Sequence, residues 1–377
     1  MFSDKDLRKL IIPFFLEQLL MALVGMADIF IIGFLGESAV SGVSLVNSFN
    51  TIFLNLFTAL AAGGAVVISQ YIGKQDNQRA GAALYRSFGK TSTTMYISVI
   101  ANIINIVGNC IGVFILHAGV AGVAWPSLIS RTFSAVAITV LCFSQKNPVQ
   151  YLKEWIFGIN VDLQKRILRI AIPNGVESGI FQFVKVALSG IVALFGTYQI
   201  AANGVAQSIW SMAALVCVTM GPVFITVIGQ CMGAGDIEQA EMYFRKLTKI
   251  TMIFALIWNG IIFAATPVMM NFYALEPRTK HLIILLVLLH NIFNAVVYPF
   301  ADPLGKGLRA TGDVNFTTAI SLFTTIGIRL ILSILFGIVL NMGVIGIALA
   351  MCLDWTVRGI IFWIRFRQGK WKQYKVI

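Results

Sequence analysis

Apolar stretches of about twenty residues recur along the whole chain, separated by short polar segments. The pattern predicts ten spans, at 10–35, 39–72, 93–116, 120–144, 168–195, 199–231, 247–272, 281–301, 315–340 and 343–365. Each is long enough to cross a hydrocarbon core of roughly 30 Å. They are too long and too rich in glycine for strands, which leaves a bundle of helices as the spanning structure. The expected fold class is an all-α integral membrane protein with about ten transmembrane helices.

Composition points the same way. Hydrophobic residues fill 58% of the 377 positions and charged residues 12%, with a mean hydropathy of +0.84. A soluble domain carries about a quarter charged residues. The few charges are unevenly placed. Lys5, Arg8 and Lys9 precede the first span, Lys74, Arg79, Arg86 and Lys90 follow the second, and Lys146 to Arg169 supply five more after the fourth. Arg245 and Lys246 follow the sixth, Lys306 and Arg309 the eighth, and Arg365 to Lys375 another five after the last. The alternate loops near Gly36, Gly119, Gly196 and Asn341 carry no Lys or Arg. By the positive-inside rule both termini are cytoplasmic. The net charge of +12 is thus a matter of topology and not of nucleic-acid binding. Five cysteines are scattered singly, which suits packing and neither disulfides nor a metal site. Met1 to Leu10 leads into the first span without a small-residue cleavage site, so an uncleaved helix is expected there.

The chain also repeats itself. With a shift of 160 it aligns without a gap from about residue 12 to residue 80: Pro13 meets Pro173, Glu17 meets Glu177, and Gly36 meets Gly196. The motif Gln70-x-x-Gly73-x-x-Asp76-x-x-x-Ala80 meets Gln230-x-x-Gly233-x-x-Asp236-x-x-x-Ala240. Gly at such a place can end a helix in a left-handed cap, and Asp can cap the next one. Beyond Ala80 the shift becomes 223 to 224, so that Arg86 meets Arg309 and Gly119-Val120-Ala121-Gly122 meets Gly343-Val344-Ile345-Gly346. The second copy therefore holds about 63 further residues, and the first lacks a pair of spans near 80–83. The expected organisation is two homologous lobes, residues 1–150 with four spans and 151–377 with six, related by an axis along the membrane normal. Repeats of this kind are typical of secondary transporters, whose site lies between the halves.

These residues carry a resemblance to the multidrug and toxin compound extrusion (MATE) family. Pro13, then Asp28 followed by Ile29-Phe30-Ile31-Ile32-Gly33-Phe34-Leu35-Gly36, resembles the family's first helix. The paired Gln-x-x-Gly motifs, Asn102 with Asn105, and Gly307-Leu308-Arg309-Ala310-Thr311-Gly312-Asp313 are similar to its other motifs. The resemblance implies a V-shaped bundle that exports amphipathic, often cationic compounds in exchange for inward protons or sodium ions. It implies no cofactor beyond that coupling ion. It implies a multi-pass monomer in the cytoplasmic membrane of a bacterium, with small substrates and the bilayer as partners and no nucleic acid. The chain departs from the family's twelve helices by lacking the third and fourth.

Acids inside spans are the sharpest functional hints, because an intramembrane charge is costly. Glu17 and Asp28 lie eleven residues apart on the first helix, within roughly 20° of three full turns, and so share a face. A carboxylate in an apolar, partly wet cavity suits exchange of a proton or sodium ion against a cationic substrate. Asp28, which matches the family's first-helix Asp, is the leading candidate. Glu177 shares its place with Glu17 and suits either closure of the cytoplasmic side or ion binding. On the same helix Ser178, Gln182, Lys185 and Ser189 form a polar stripe, and Lys185 calls for a partner, either Asp28 or Asp354. Asn105 aligns with Arg329, and Asn102, Asn105 and Asn109 share one face. Gly221-Pro222 is expected to bend the sixth span and act as a hinge.

An enzyme is not expected. His117, His281 and His290 lack zinc-like spacing, and no nucleophile has a nearby base. Two other readings stay open: a shortened, non-transporting chain, and a flippase for lipid-linked precursors with the same architecture.

Overall fold

The computed structural model describes residues 2–33, 37–75, 91–142, 161–271, 276–374 and 376, with the side chains of 26–30, 32–50, 52–53, 56, 91–94 and 142 outside that set. The proposed break near 80–83 lies outside the described residues. What is described is helical throughout. The helices are α1 (Asp4–Gly33), α2 (Glu37–Gly73), α3 (Thr91–Cys110), α4 (Ala121–Cys142), α5 (Val161–Ala193), α6 (Thr197–Ala213) and α7 (Leu215–Gly233). There follow α8 (Ile237–Met270), α9 (Pro277–Val296), α10 (Tyr298–Ala301), α11 (Pro303–Thr311), α12 (Val314–Phe323), α13 (Ile331–Ile334) and α14 (Gly343–Arg367). Among the described residues eight helices are long and apolar enough to cross a membrane.

The internal repeat is visible as geometry. Residues Ile111–Ile115 and Leu335–Val339, 224 apart, are both π-helical. His117 and Asn341, at the same offset, both have positive φ (48° and 53°), as do Gly119 and Gly343 (58° and 59°). Gly112 abuts the backbone of Gly122, and Gly346 abuts the backbone of Phe336, the equivalent pair. The same local sequence has made the same turn twice.

The two chain halves meet on the Gln-x-x-Gly motifs themselves. A Cβ on Gly73 would lie 2.0 Å from the carbonyl oxygen of Gln230, and one on Gly233 would lie 1.8 Å from that of Gln70. The approach is reciprocal, as a pseudo-two-fold axis between α2 and α7 requires. Close backbone approach through small residues is how helices gain dispersion energy in lipid, where no hydrophobic force drives them together. The glycines therefore serve packing and not the left-handed caps that the motif suggests. The left-handed residues sit two further on, at Gln75 (φ 61°) and Gly235 (φ 76°). The Asp of the motif does cap: Asp236 Oδ1 accepts from Gln239 N at 3.0 Å and starts α8.

Described contacts between the halves gather at the end of the bundle that carries the basic loops. Phe2 N donates to the Tyr243 hydroxyl, which donates back to Phe2 O, both at 2.7 Å. Lys246 pairs with Asp4 and, by its hydrogen bond and its charge, holds that carboxyl below the ordinary carboxylate range. Phe15 packs at a tilt against Phe254 and edge-to-face against Trp258, with ring centroids 4.9 and 5.1 Å away. Gln70 Nε2 donates to Ala310 O at 2.7 Å. Further from that end, Met21 and Leu23 on α1 and Phe183, Val186 and Leu194 on α5 are exposed. The described contacts thus join the halves at the basic end of the bundle.

Candidate functional site

The interior of the C-terminal half holds a chain of ionised side chains. At its centre is Asp354 on α14, which is fully buried. Its Oδ2 lies 2.7 Å from Arg329 Nη2, and its Oδ1 accepts from Arg358 Nη2 at 2.7 Å. Arg358 stands one turn on from Asp354, so that pairing is local. Arg329 comes from Thr324–Leu330, a π-helical stretch between α12 and α13. The wider winding shifts the side chain's bearing relative to an α-helix, a common device at functional sites. Arg358 also donates to Thr324 Oγ1 (3.0 Å) and Thr325 Oγ1 (2.8 Å), and the Arg329 guanidinium lies 5.1 Å from the centre of the Phe181 ring on α5. One carboxylate thus holds one buried and one half-buried cation, tying α14 to the π-helical stretch after α12 and, through Phe181, to α5.

A second cluster lies nearer the basic end. Arg309 donates to Glu177, to Asn174 Oδ1 at 2.9 Å and to Thr317 Oγ1 at 3.2 Å. Four residues on, Asp313 Oδ2 accepts from Arg365 Nε at 2.7 Å. Gly312 between them is left-handed (φ 106°) and ends α11. The motif Gly307 to Asp313 is therefore a clamp: its Arg grips α5 and α12, and its Asp grips α14. Between the two clusters Lys306 Nζ donates to Asp302 Oδ2 at 2.8 Å. A small cavity of about 20 Å³ opens on Glu177, Asp302, Lys306, Arg309 and Arg358. That is room for one water, which needs two to four polar partners and has them here. Charged groups therefore run from Arg365 at the basic end to Arg329 in the interior, with a hydratable gap between.

The first half carries a neutral version of the same interface. Asn105, equivalent to Arg329, donates to Ser127 Oγ at 3.0 Å and accepts from Asn109 Nδ2 at 3.2 Å across α3 and α4. Glu17 is buried on α1 and accepts from Ser98 Oγ of α3 at 3.1 Å. The side chain of Asp28 lies outside the described residues.

One expectation needs correction. Lys185 is exposed on α5, and Asp354 is not its partner, because Arg329 and Arg358 occupy that carboxylate. α7 runs through Gly221 and Pro222, and the sixth predicted span is interrupted at Ala214, between α6 and α7. Gly221 leaves room for the Lys306 side chain, whose Cδ would lie 2.4 Å from an added Cβ.

Sequence reasoning missed a polar knot on α8 and α9. Asn294 Nδ2 donates to Asn259 Oδ1 at 3.0 Å, and Asn291 Nδ2 to Asn259 O at 3.2 Å. His290 is buried beside Trp355, with neither ring nitrogen hydrogen-bonded among the described residues. The signal was present, as three polar residues within five positions of an apolar helix.

A helical membrane bundle with two like halves and charges buried within one of them has the build of a membrane transporter. The MatE family model matches residues 13–89 and 173–335, and the chain belongs to that family of efflux transporters, whose members are not enzymes. The chain is 24% identical to an uncharacterized transporter of Bacillus subtilis, YisQ, over 96% of this chain and 93% of the relative. It is 22% identical to a probable multidrug resistance protein NorM of Thermotoga maritima, over 99% and 94%. Its fold is similar to that of a multidrug resistance MATE transporter solved in an outward-facing conformation, with a TM-score of 0.87, 17% identity and coverage of 97% and 95%.

Proposed function

We propose that this protein is a cation-coupled antiporter that exports amphipathic, often cationic compounds across the cytoplasmic membrane, with protons or sodium ions as the coupling ion. The observation that carries the reading is the ionic chain inside the C-terminal half, through the half-buried Glu177 and the buried Asp354. Carboxylates held against arginines inside a bundle can change partner when a cation or proton arrives, and so bias one arrangement of the halves over another. Alternating access would then consist of releasing the contacts at the basic end and closing the opposite side. The proposed organisation is ten spans in two lobes, residues 1–150 and 151–377, with both termini cytoplasmic, acting as a monomer. In support, the alignment to YisQ extends over 441 positions, at least 64 more than the 377 residues of this chain. That surplus is close to the length of a missing helix pair.

The test is export of ethidium or norfloxacin from vesicles under an imposed proton or sodium gradient. The parent chain is expected to export. Asp28→Asn is expected to lose at least ten-fold in rate, and Glu177→Gln to lose rate while keeping the fold, as read by thermal unfolding. Export by Asp28→Asn at the parent's rate would remove Asp28 from the mechanism. No export by the parent under either gradient would favour a non-transporting chain.

A further inference from the structure

A groove of about 620 Å³ runs along the side of the C-terminal half, between α8, the α9–α10 junction and α14. Its walls are Met252, Val296, Phe300, Ile360 and Trp363, and Arg245 and Lys249 stand at its mouth. The groove faces away from the N-terminal half. Phe254 points at Phe15 of α1, and Met252, two residues earlier, is about 160° round the helix from it. Its depth along the bilayer is also fixed by the sequence. The 34 residues of α8 span about 51 Å, far more than a hydrocarbon core of roughly 30 Å. Lys249 is its last charged residue, and from Ile250 to Met270 there is none. Lys249 therefore stands at headgroup level, with the apolar walls below it, and Trp363 lies at the same rim, where membrane tryptophans concentrate.

The mouth is cationic beyond what its own acid cancels. Glu241 accepts from Arg245 (2.8 Å) and from Lys372 (2.6 Å), so one carboxylate serves two cations. Arg367 lies over the Trp363 ring at 5.5 Å, and Lys249 pairs with no described carboxylate. The same charges would repel an amphipathic cation. We infer that this groove is a binding site for an anionic phospholipid, with its phosphate at Lys249 and Arg245 and an acyl chain against Met252, Phe300 and Ile360. The site is separate from the ionic chain inside the half, and it does not depend on what the protein exports. Its physical logic is that of basic pockets between helices at the membrane rim, which hold acidic headgroups.

Native mass spectrometry of the whole protein in detergent tests this, with phosphatidylglycerol, phosphatidylcholine and glycerol 3-phosphate titrated separately. One phosphatidylglycerol is expected to bind at least five-fold more tightly than phosphatidylcholine, and glycerol 3-phosphate is expected not to bind. Each cation near an anionic headgroup is worth about a five-fold change in affinity, so Lys249→Ala with Arg245→Ala should erase the preference. Met252→Trp, which fills the groove and leaves the charges, should weaken both lipids by several-fold. Thermal unfolding of each variant, read alongside, keeps loss of binding apart from loss of fold. Equal binding of the two lipids by the parent, or an undiminished preference in the folded double variant, would overturn the proposal. So would glycerol 3-phosphate binding as tightly as the lipid.

Discussion

Gly233→Ala is expected to unfold this protein or to lower its stability at or beyond the ~3 kcal/mol at the top of the overpacking range. The added Cβ would lie 1.8 Å from Gln70 O and 2.5 Å from Gln70 C. Both are backbone atoms of a neighbouring helix and cannot swing aside as a side chain can. Relief requires α2 and α7 to part by more than an ångström along the seam that joins the halves. That movement would strip the Gln70 to Ala310 hydrogen bond and the packing of Ser69 against Gly229. Gly73→Ala, its equivalent on the other helix, should behave alike, since its Cβ would meet Gln230 O at 2.0 Å. Gly260→Ala is the control, because nothing lies within 4 Å of its added Cβ. It should change stability by no more than ~1 kcal/mol. Thermal unfolding in detergent reads all three. If Gly233→Ala melts with Gly260→Ala, the motifs do not form the seam.

Asp354→Ala is expected to be the most damaging loss of a single charged group. It leaves the buried Arg329 and the half-buried Arg358 without a carboxylate, and removing one partner of a buried ion pair typically costs ~3–5 kcal/mol. The cost should be strongly non-additive. Arg329→Met combined with Asp354→Leu removes a buried charge of each sign and should be less destabilised than Asp354→Ala alone. A double-mutant cycle on unfolding free energies checks this. Additive losses would mean that the two groups are held independently. Asp354→Asn keeps the shape and one of the two acceptor oxygens, so its effect on efflux, measured at matched protein levels, tests the charge with little change in packing volume.

Some of this was legible in the residues alone. The Arg358–Asp354 pair is one helical turn apart and can be read from spacing. The equivalence of Gly119 with Gly343 predicted a shared turn, and both glycines have the same positive φ. Other features were illegible for specific reasons. Arg329 reaches Asp354 only because its helix winds as π there, and nothing in Thr-Thr-Ile-Gly-Ile-Arg-Leu announces that winding. Without it, the residues alone offered Asp354 as a partner for Lys185. That Gly221 makes room for Lys306 was illegible because the two lie 85 positions apart in the chain.

The sequence by itself determined the membrane setting, the helical class and the existence of two like copies. Those follow from solvent and period: lipid demands long apolar helices with satisfied backbones, and a duplicated sequence makes a duplicated turn. The tertiary structure decided which charges meet and that the Gln-x-x-Gly motifs pack on each other. Ion pairing and close packing act over a few ångströms between residues far apart in the chain. No local pattern fixes those distances until the helices are in place.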